Sequence, residues 1–252
     1  MKICLWILSL AFLAVGARNF EEGLSVDGPL YAAIARALTR ANDIFVMAPG
    51  LSDYPVYFDH PHFGFWLHAI WLKFFPATDW SIRIPSHLMY VFFLCGFWKV
   101  VQHFNSARVA TVAVLLLWVW SPFSNFFSNF YLDPGVLLCG SLFLVFLHKS
   151  LAKRKNLSIV AGLFLGLAAG YKGLTVLAFG PVAAMLCTSS FVKHKKHTLW
   201  VLFGAFVGAG FVLGPYVWGL SQSQIPNFLE LYWQKQMSNR FAGVWGLLGV
   251  FQ

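Results

Sequence analysis

The chain has 252 residues, of which 59% are apolar, and its mean hydropathy is +0.68. It carries 18 basic and 9 acidic side chains, whereas about a quarter of the residues in a soluble protein are charged. This composition excludes a soluble globular protein and a disordered chain. The net charge of +9 does not indicate nucleic-acid binding, because the basic residues are scattered between apolar runs. The sequence predicts an all-α, polytopic membrane protein that contacts membrane lipids and no nucleic acid.

About seven apolar runs are long enough, or nearly so, to cross a membrane as helices. They fall near residues 3–17, 83–101, 107–123, 132–148, 157–171, 173–191 and 198–219. The first run is short and also fits a cleavable signal peptide, with Lys2 before it and small residues ahead of Arg18. Only Tyr171, Lys172 and Gly173 separate the fifth and sixth runs, which predicts a very tight turn.

The charged residues predict an orientation for these runs. With the N-terminus in the cytoplasm, the short segments near residues 2, 99–108, 149–155 and 193–196 become cytoplasmic and contain ten Lys or Arg residues. This bias is what the positive-inside rule requires. All nine acidic residues then fall on the other side, so we expect carboxylate chemistry at the outer face of the cell membrane.

The segment 18–82 forms the first outer loop in this layout. It contains two helix-like pieces, Pro29 to Ala41 and His62 to Phe75, that are too short to cross a membrane. Apolar runs of 10–14 residues are typical of interfacial or re-entrant helices. We therefore predict two interfacial helices, with their apolar faces in the acyl boundary and the polar motifs of the chain beside them.

Four polar groups occur in or near the outer segments, and each has a plain structural interpretation. Asp27 fits an acid at a helix N-terminus, and His60 belongs to a cluster that fits the start of a surface helix. Arg83 fits an arginine at the mouth of a span. Asp133 lies at the outer end of one span and Lys172 at the outer turn of another.

Taken in order, the four groups resemble one family. The sequence reads Asp-x-x-x-Tyr-Ala-x-x-Ala-Arg from Asp27, His-Pro-x-x-x-x-Trp from His60 and Arg-x-Pro-Ser from Arg83, followed by a span-end Asp and a Lys-Gly turn. This order resembles the GT-C glycosyltransferases of the protein-O-mannosyltransferase and lipid A aminoarabinose-transferase type, over about residues 1–242. Members usually have a second acidic residue where this chain has Gly28, and two prolines where it has Pro61 and His62.

The resemblance implies transfer of a sugar from a polyprenyl-phosphate-linked donor to a hydroxyl on a lipid, protein or glycan acceptor at the outer face. It implies that Asp27 is the general base and that Asp133 is a second acidic site residue. His60, Arg83 and Lys172 are the implied phosphate contacts, and Tyr31 and Arg240 the further substrate-binding candidates. No cofactor is certain from the resemblance. Asp59 stands where some relatives place a metal ligand, so a divalent metal is a candidate.

Two alternative functions compete with this one. A transporter would place ionisable residues near the middle of the bilayer and often shows inverted repeats, neither of which we find here. A non-catalytic relative is the other alternative. Residues 246–252 begin an eighth apolar run, so we expect 1–252 to be one transmembrane glycosyltransferase domain, truncated at its C-terminus, that lacks measurable transfer alone.

Overall fold

The structure is a computed structural model that describes residues 24, 27–42, 44–45, 57, 59–119, 130–152 and 154–222. All regular elements within these ranges are helical, which confirms the predicted all-α fold. The predicted run 3–17 and Arg240 lie outside the described residues. The described helices are α1 (Gly28–Leu38), α2 (Phe63–Phe74), α3 (Asp79–Phe104), α4 (Ala107–Val119), α5 (Asp133–Ala152), α6 (Leu157–Lys172) and α7 (Gly180–Gln222), with a 3₁₀ segment (Gly173–Phe179) between α6 and α7.

Three helical stretches of the described chain are long and apolar enough to cross a membrane. They are Asp79–Gln102, Asp133–Ala152 and Leu157–Gln222, and Ala107–Leu117 is a shorter apolar helix. The last stretch has 66 residues, about three times the roughly 20 that one crossing needs. It is interrupted at Gly173, where φ is 58°, and at His194, whose backbone is not helical. These interruptions divide it at the boundaries predicted for the last three runs.

The break at His194 is smaller than expected. The sequence predicts a basic loop around residues 193–196 between two spans, whereas the helical assignment continues on both sides of this one residue. The tight turn predicted after α6 is present, because α6 ends at Lys172 and Gly173 takes a positive φ. Glycine adopts that conformation without the steric cost that a side chain would add.

Helices α6 and α7 pack closely because glycines face each other across the contact. A side chain at Gly162 would meet the backbone of Ala205, and one at Gly208 would meet the backbone of Ile159. Gly166 and Gly204 lie four residues from these positions on their own helices and are similarly crowded. Small residues at this spacing let membrane helices approach each other.

The two short helices are where the sequence predicts them, but α1 faces differently. Ile34 and Leu38 belong to the apolar stripe expected to face the acyl boundary, and both are buried inside the protein. That expectation is wrong for α1, because the stripe packs into the same core as Phe65 and Ala69 of α2. Helix α2 does keep an exposed apolar side, which includes Ile70.

Hydrogen bonds fix the short helices against the start of α3. Arg36 Nη2 donates to the carbonyl oxygen of Ala77 at 2.9 Å, and Trp71 Nε1 donates to Ser81 Oγ at 3.0 Å. Thr78 Oγ1 accepts from the Ser81 backbone N–H at 3.3 Å and thereby caps α3. Helices α1 and α2 therefore pack at the end of α3 where Arg83 lies.

Candidate active site

Asp27 is the N-cap residue of α1, yet its side chain makes no capping hydrogen bond. Its Oδ2 instead accepts a hydrogen bond of 3.4 Å from Tyr31 Oη, one helical turn further on. Residues four apart lie on the same face of a helix, so the Asp-x-x-x-Tyr spacing brings this carboxylate and phenol together. The contact gives Asp27 a polar partner that the plain interpretation of a helix-end acid does not require.

Tyr31 is surrounded by aromatic rings and is 2% exposed. Edge-to-face contacts place its ring centroid 5.3 Å from Phe65 and 5.7 Å from Phe130. The ring of His60 lies at 5.9 Å and that of Tyr57 at 6.3 Å. The aromatic shell therefore joins the first motif, which contains Asp27, to the second, which contains His60.

The phenol groups of Tyr57 and Tyr31 and the carboxylate of Asp27 lie next to one another. Burial, followed by the charge of Asp27, holds the pKa of Tyr31 well above its usual value. Burial also raises the pKa of Tyr57. Both phenols therefore stay protonated at neutral pH, and Tyr31 can donate to Asp27.

Asp133 and Lys172 form an ion pair between the first residue of α5 and the last residue of α6. Lys172 Nζ lies 2.8 Å from Oδ1 and 2.7 Å from Oδ2 of Asp133, and the two side chains are about a quarter exposed, 25% for Asp133 and 23% for Lys172. Each charge also has the sign that the dipole of its own helix end favours. The sequence predicts these residues as separate site members, and the structure pairs them.

The pair lies near the Asp27 group. The charge of Asp133, like that of Asp27, acts on the phenol of Tyr31, while the charge of Asp59 acts on Tyr57. The three carboxylates therefore share one neighbourhood, although Asp27 and Asp133 are more than a hundred residues apart in the chain.

Arg83 occupies the first two turns of α3 and is 6% exposed. Its guanidinium lies close enough to the ring of His87 to interact with it electrostatically. The burial of Arg83 is unlike that of an arginine that reaches out to the headgroup region, which keeps its charged group in water.

The candidate metal ligand has no complete set of neighbours in the described part of the chain. Asp59 precedes His60 and is half-buried, but the described residues contain no group of three His, Cys, Asp or Glu side chains that could hold a metal ion. A protein-bound metal usually takes three or four such ligands. The described residues therefore provide no complete set of ligands for a metal ion beside Asp59.

Sequence reasoning missed one contact between the motif that begins at His60 and helix α7. His62, which stands where relatives usually have proline, is fully buried, and its Nδ1 lies 3.1 Å from Tyr216 Oη. Tyr216 also packs against Trp66, whose Nε1 donates to the carbonyl oxygen of Ile44 at 2.7 Å. No sequence signal marks Tyr216, because it lies in an apolar run 154 residues from its partner.

Known proteins resemble this chain in sequence and in fold. Residues 59–218 match the family model described as dolichyl-phosphate-mannose-protein mannosyltransferase. A curated relative, the undecaprenyl phosphate-alpha-4-amino-4-deoxy-L-arabinose arabinosyl transferase 1 of Sodalis glossinidius (strain morsitans), is 26% identical over 226 residues, covering 86% of this chain and 39% of the relative.

Two solved structures share the fold, both of ArnT from Cupriavidus metallidurans. The apo crystal structure superposes with a TM-score of 0.73 at 18% identity over 91% of this chain and 43% of that one. The complex with undecaprenyl phosphate gives 0.71 at 18% identity over 92% and 44%. The chain thus spans about two fifths of the length of the relatives it matches.

The helical fold and the matched region define a polytopic membrane protein of the GT-C glycosyltransferase type. Within that class, the chain belongs to the dolichyl-phosphate-mannose-protein mannosyltransferase family, since the family model matches more than half of its residues.

Proposed function

We propose that this protein is a membrane glycosyltransferase that takes a sugar from a polyprenyl-phosphate-linked donor. The observation that carries the proposal is the convergence of Asp27, Asp133 and Lys172 around Tyr31 within the family's fold. Support for the donor class comes from the name of the Sodalis relative and from the bound ligand of one ArnT structure, both of which specify undecaprenyl phosphate.

The proposed reaction needs a base and a set of cations. An acceptor hydroxyl oxygen attacks the anomeric carbon of the donor sugar, the bond from that carbon to the phosphate oxygen breaks, and the acceptor proton passes to a carboxylate. We assign that carboxylate to Asp27, since a positioned general base is what such a step requires. The departing polyprenyl phosphate carries the negative charge, which nearby cations stabilise.

The residues near Asp27 suit these roles. Tyr31 donates to Oδ2 of Asp27 and leaves Oδ1 for the acceptor proton. Lys172 and Arg83 are the cations assigned to the phosphate, with His60 as a further contact. Arg240, which lies outside the described residues, stays a substrate-binding candidate from the sequence. Lys172 keeps its position through Asp133, which holds the ammonium group with both oxygens. Asp133 therefore orients a cation in this scheme and does not act as a second base.

The orientation of the protein is part of the proposal. The distribution of basic residues supports an N-terminus in the cytoplasm of an inner or plasma membrane protein. The site then lies on the outer face, where the acceptor would be a lipid, a protein or a glycan that presents a hydroxyl. A donor tethered to a lipid explains why the polar residues lie at the ends of apolar helices.

The test is turnover in proteoliposomes that contain the whole product of the protein's gene, because residues 1–252 alone are expected to lack measurable transfer. Undecaprenyl phosphate-linked aminoarabinose, labelled in the sugar, is supplied with lipid A as acceptor, and both the released undecaprenyl phosphate and the labelled product are quantified. We expect sugar transfer that depends on Asp27. Donor that remains intact with a panel of sugars and acceptors, in protein shown to be folded, would contradict the proposal.

A further inference from the structure

His68 makes two polar contacts and one ring contact deep inside the protein. It lies on α2 and is 1% exposed. Its Nδ1 is 2.8 Å from the carbonyl oxygen of Gly64, its Nε2 is 3.2 Å from Ser86 Oγ on α3, and its ring stacks on Phe130 at 3.6 Å. A buried histidine with both ring nitrogens in hydrogen-bond range is held in one orientation.

Ser86 extends this contact to a third segment. Its Oγ lies 2.9 Å from the carbonyl oxygen of Tyr131, in the residues that lead into α5. His68, Ser86 and the Tyr131 carbonyl therefore connect α2, α3 and the entrance of α5. Ser86 is fully buried, so water does not replace either of its contacts.

Each connected segment carries a residue of the proposed site. His60 lies just before α2, Arg83 lies three residues before Ser86 on the same face of α3, and Asp133 follows Tyr131 by two residues. The chain of contacts thus links the part of α3 that carries Arg83 to the start of α5, where Asp133 pairs with Lys172. Arg83 and Lys172 are the two cations assigned to the donor phosphate.

Ser86 is the central member of this chain of contacts. Its hydroxyl donates to the carbonyl oxygen of Tyr131, which only accepts hydrogen bonds. Its oxygen also lies within hydrogen-bond range of Nε2 of His68, whose Nδ1 faces the carbonyl oxygen of Gly64. Loss of either side chain therefore breaks the link between segments.

We infer that His68 is a positioning residue for polyprenyl-phosphate binding, acting through Ser86 on the spacing of Arg83 and Lys172. The inference rests on the proposed function, because it assigns these two cations to the donor phosphate. His68 itself touches no substrate in this scheme. Its loss should weaken phosphate binding without changing which group acts as the base.

Three variants separate positioning from packing. His68→Leu removes both hydrogen bonds at similar volume, and Ser86→Ala removes only the hydroxyl. His68→Gln keeps an amide at the reach of Nε2 and can still pair with Ser86 Oγ. Ile70→Ala is the matched control, because Ile70 lies two residues further along α2 and is exposed.

The measurement is the affinity of the purified protein in lipid nanodiscs for undecaprenyl phosphate, taken well below each variant's melting temperature. We expect His68→Leu and Ser86→Ala to weaken binding about three- to tenfold, the size expected for one hydrogen bond. The double variant should be no weaker than either single one, His68→Gln should recover most of the affinity, and Ile70→Ala should match the wild type.

The outcomes are distinguishable. Wild-type protein that fails to bind undecaprenyl phosphate would contradict the proposed function and this inference with it. Wild-type binding together with unchanged affinity in Ser86→Ala would overturn the inference alone. An equal loss in His68→Gln and His68→Leu would also overturn it, because the loss would then come from packing.

Discussion

Lys172 Nζ lies 2.7 Å from Asp133 Oδ2, so the last residue of α6 and the first residue of α5 are joined by an ion pair at the candidate site. Both residues are only partly buried, and pairs of this kind contribute little to stability because solvent screens them. The pair is therefore better explained by the position that it gives to Lys172 than by the energy that it adds to the fold.

This relationship predicts an asymmetry between two variants. Lys172→Gln removes a proposed phosphate cation, whereas Asp133→Asn removes only the group that holds it. We expect Lys172→Gln to weaken undecaprenyl phosphate binding more than Asp133→Asn does, and the double variant to match Lys172→Gln. Titration of the four proteins measures this, and equal binding by all of them would leave the pair without a role in the donor site.

The assignment of Asp27 predicts a loss in the chemical step. Asp27→Asn keeps the shape of the side chain but cannot accept a proton, so transfer should fall by about 10²–10⁴-fold, the usual contribution of a general base. Membrane insertion and donor binding should be unchanged. Asp79→Asn is the control, because Asp79 is an exposed acid at the start of α3. Near-normal turnover in Asp27→Asn would contradict the general-base assignment and show that Asp27 is only an acid at a helix end.

The contacts among Asp27, Tyr31 and Tyr57 predict graded effects of two tyrosine variants. Tyr31→Phe removes the donor to Asp27 at nearly constant volume, and Tyr57→Phe removes only a hydroxyl next to Tyr31. We expect transfer to fall about three- to tenfold in Tyr31→Phe and less in Tyr57→Phe, with KM for the donor nearly unchanged. A larger effect in Tyr57→Phe would show that Tyr57 acts by another route.

Gly135 predicts a packing effect close to the ion pair. A side chain at this position of α5 would collide with the ring of Tyr171, the neighbour of Lys172. Gly135→Ala should therefore lower the melting temperature and weaken donor binding together. Gly96→Ala is a matched control in another helix, because a side chain there meets nothing within 4 Å. Identical melting temperatures for the two variants would contradict the close contact.

The state of His68 predicts how stability depends on pH. Burial lowers its pKa from 6.5 to about 4, so the unfolded chain takes up a proton at this residue between those values and the folded protein does not. Stability should therefore decrease as pH falls from about 6.5 towards 4. Thermal melts of wild type and His68→Gln across this range measure the effect, and the decrease should be smaller in the variant. Parallel curves would show that His68 titrates normally.

The sequence predicts much of the fold because helices that cross a membrane need long apolar runs. The lengths of these runs predict α3, α5 and α6. The short interval around Lys172 and Gly173 predicts the turn, where Gly173 takes a positive φ. The outward direction of Ile34 was predicted incorrectly, since an apolar stripe suits a lipid boundary and a protein core equally well. Periodicity alone does not distinguish these two environments.

For the site, local spacing was informative and distant pairing was not. The four-residue step from Asp27 to Tyr31 predicts a shared helix face, and the structure shows their contact. The pairing of Lys172 with Asp133, and of His62 with Tyr216, depends on how separate helices pack. Nothing in the residues near each partner specifies those neighbours.

The most direct test of the donor site is photo-crosslinking with a diazirine-labelled undecaprenyl phosphate, followed by mass spectrometry of the labelled peptides. We expect labelling of peptides that contain His60, Arg83 or Lys172, and we expect unlabelled undecaprenyl phosphate to suppress it. Arg83→Ala should weaken the labelling more than Arg83→Lys does, since lysine keeps the charge but not the planar fork. Labelling confined to the exposed apolar surface of α7, which includes Phe206 and Phe211, and unaffected by competitor, would contradict the proposed donor site.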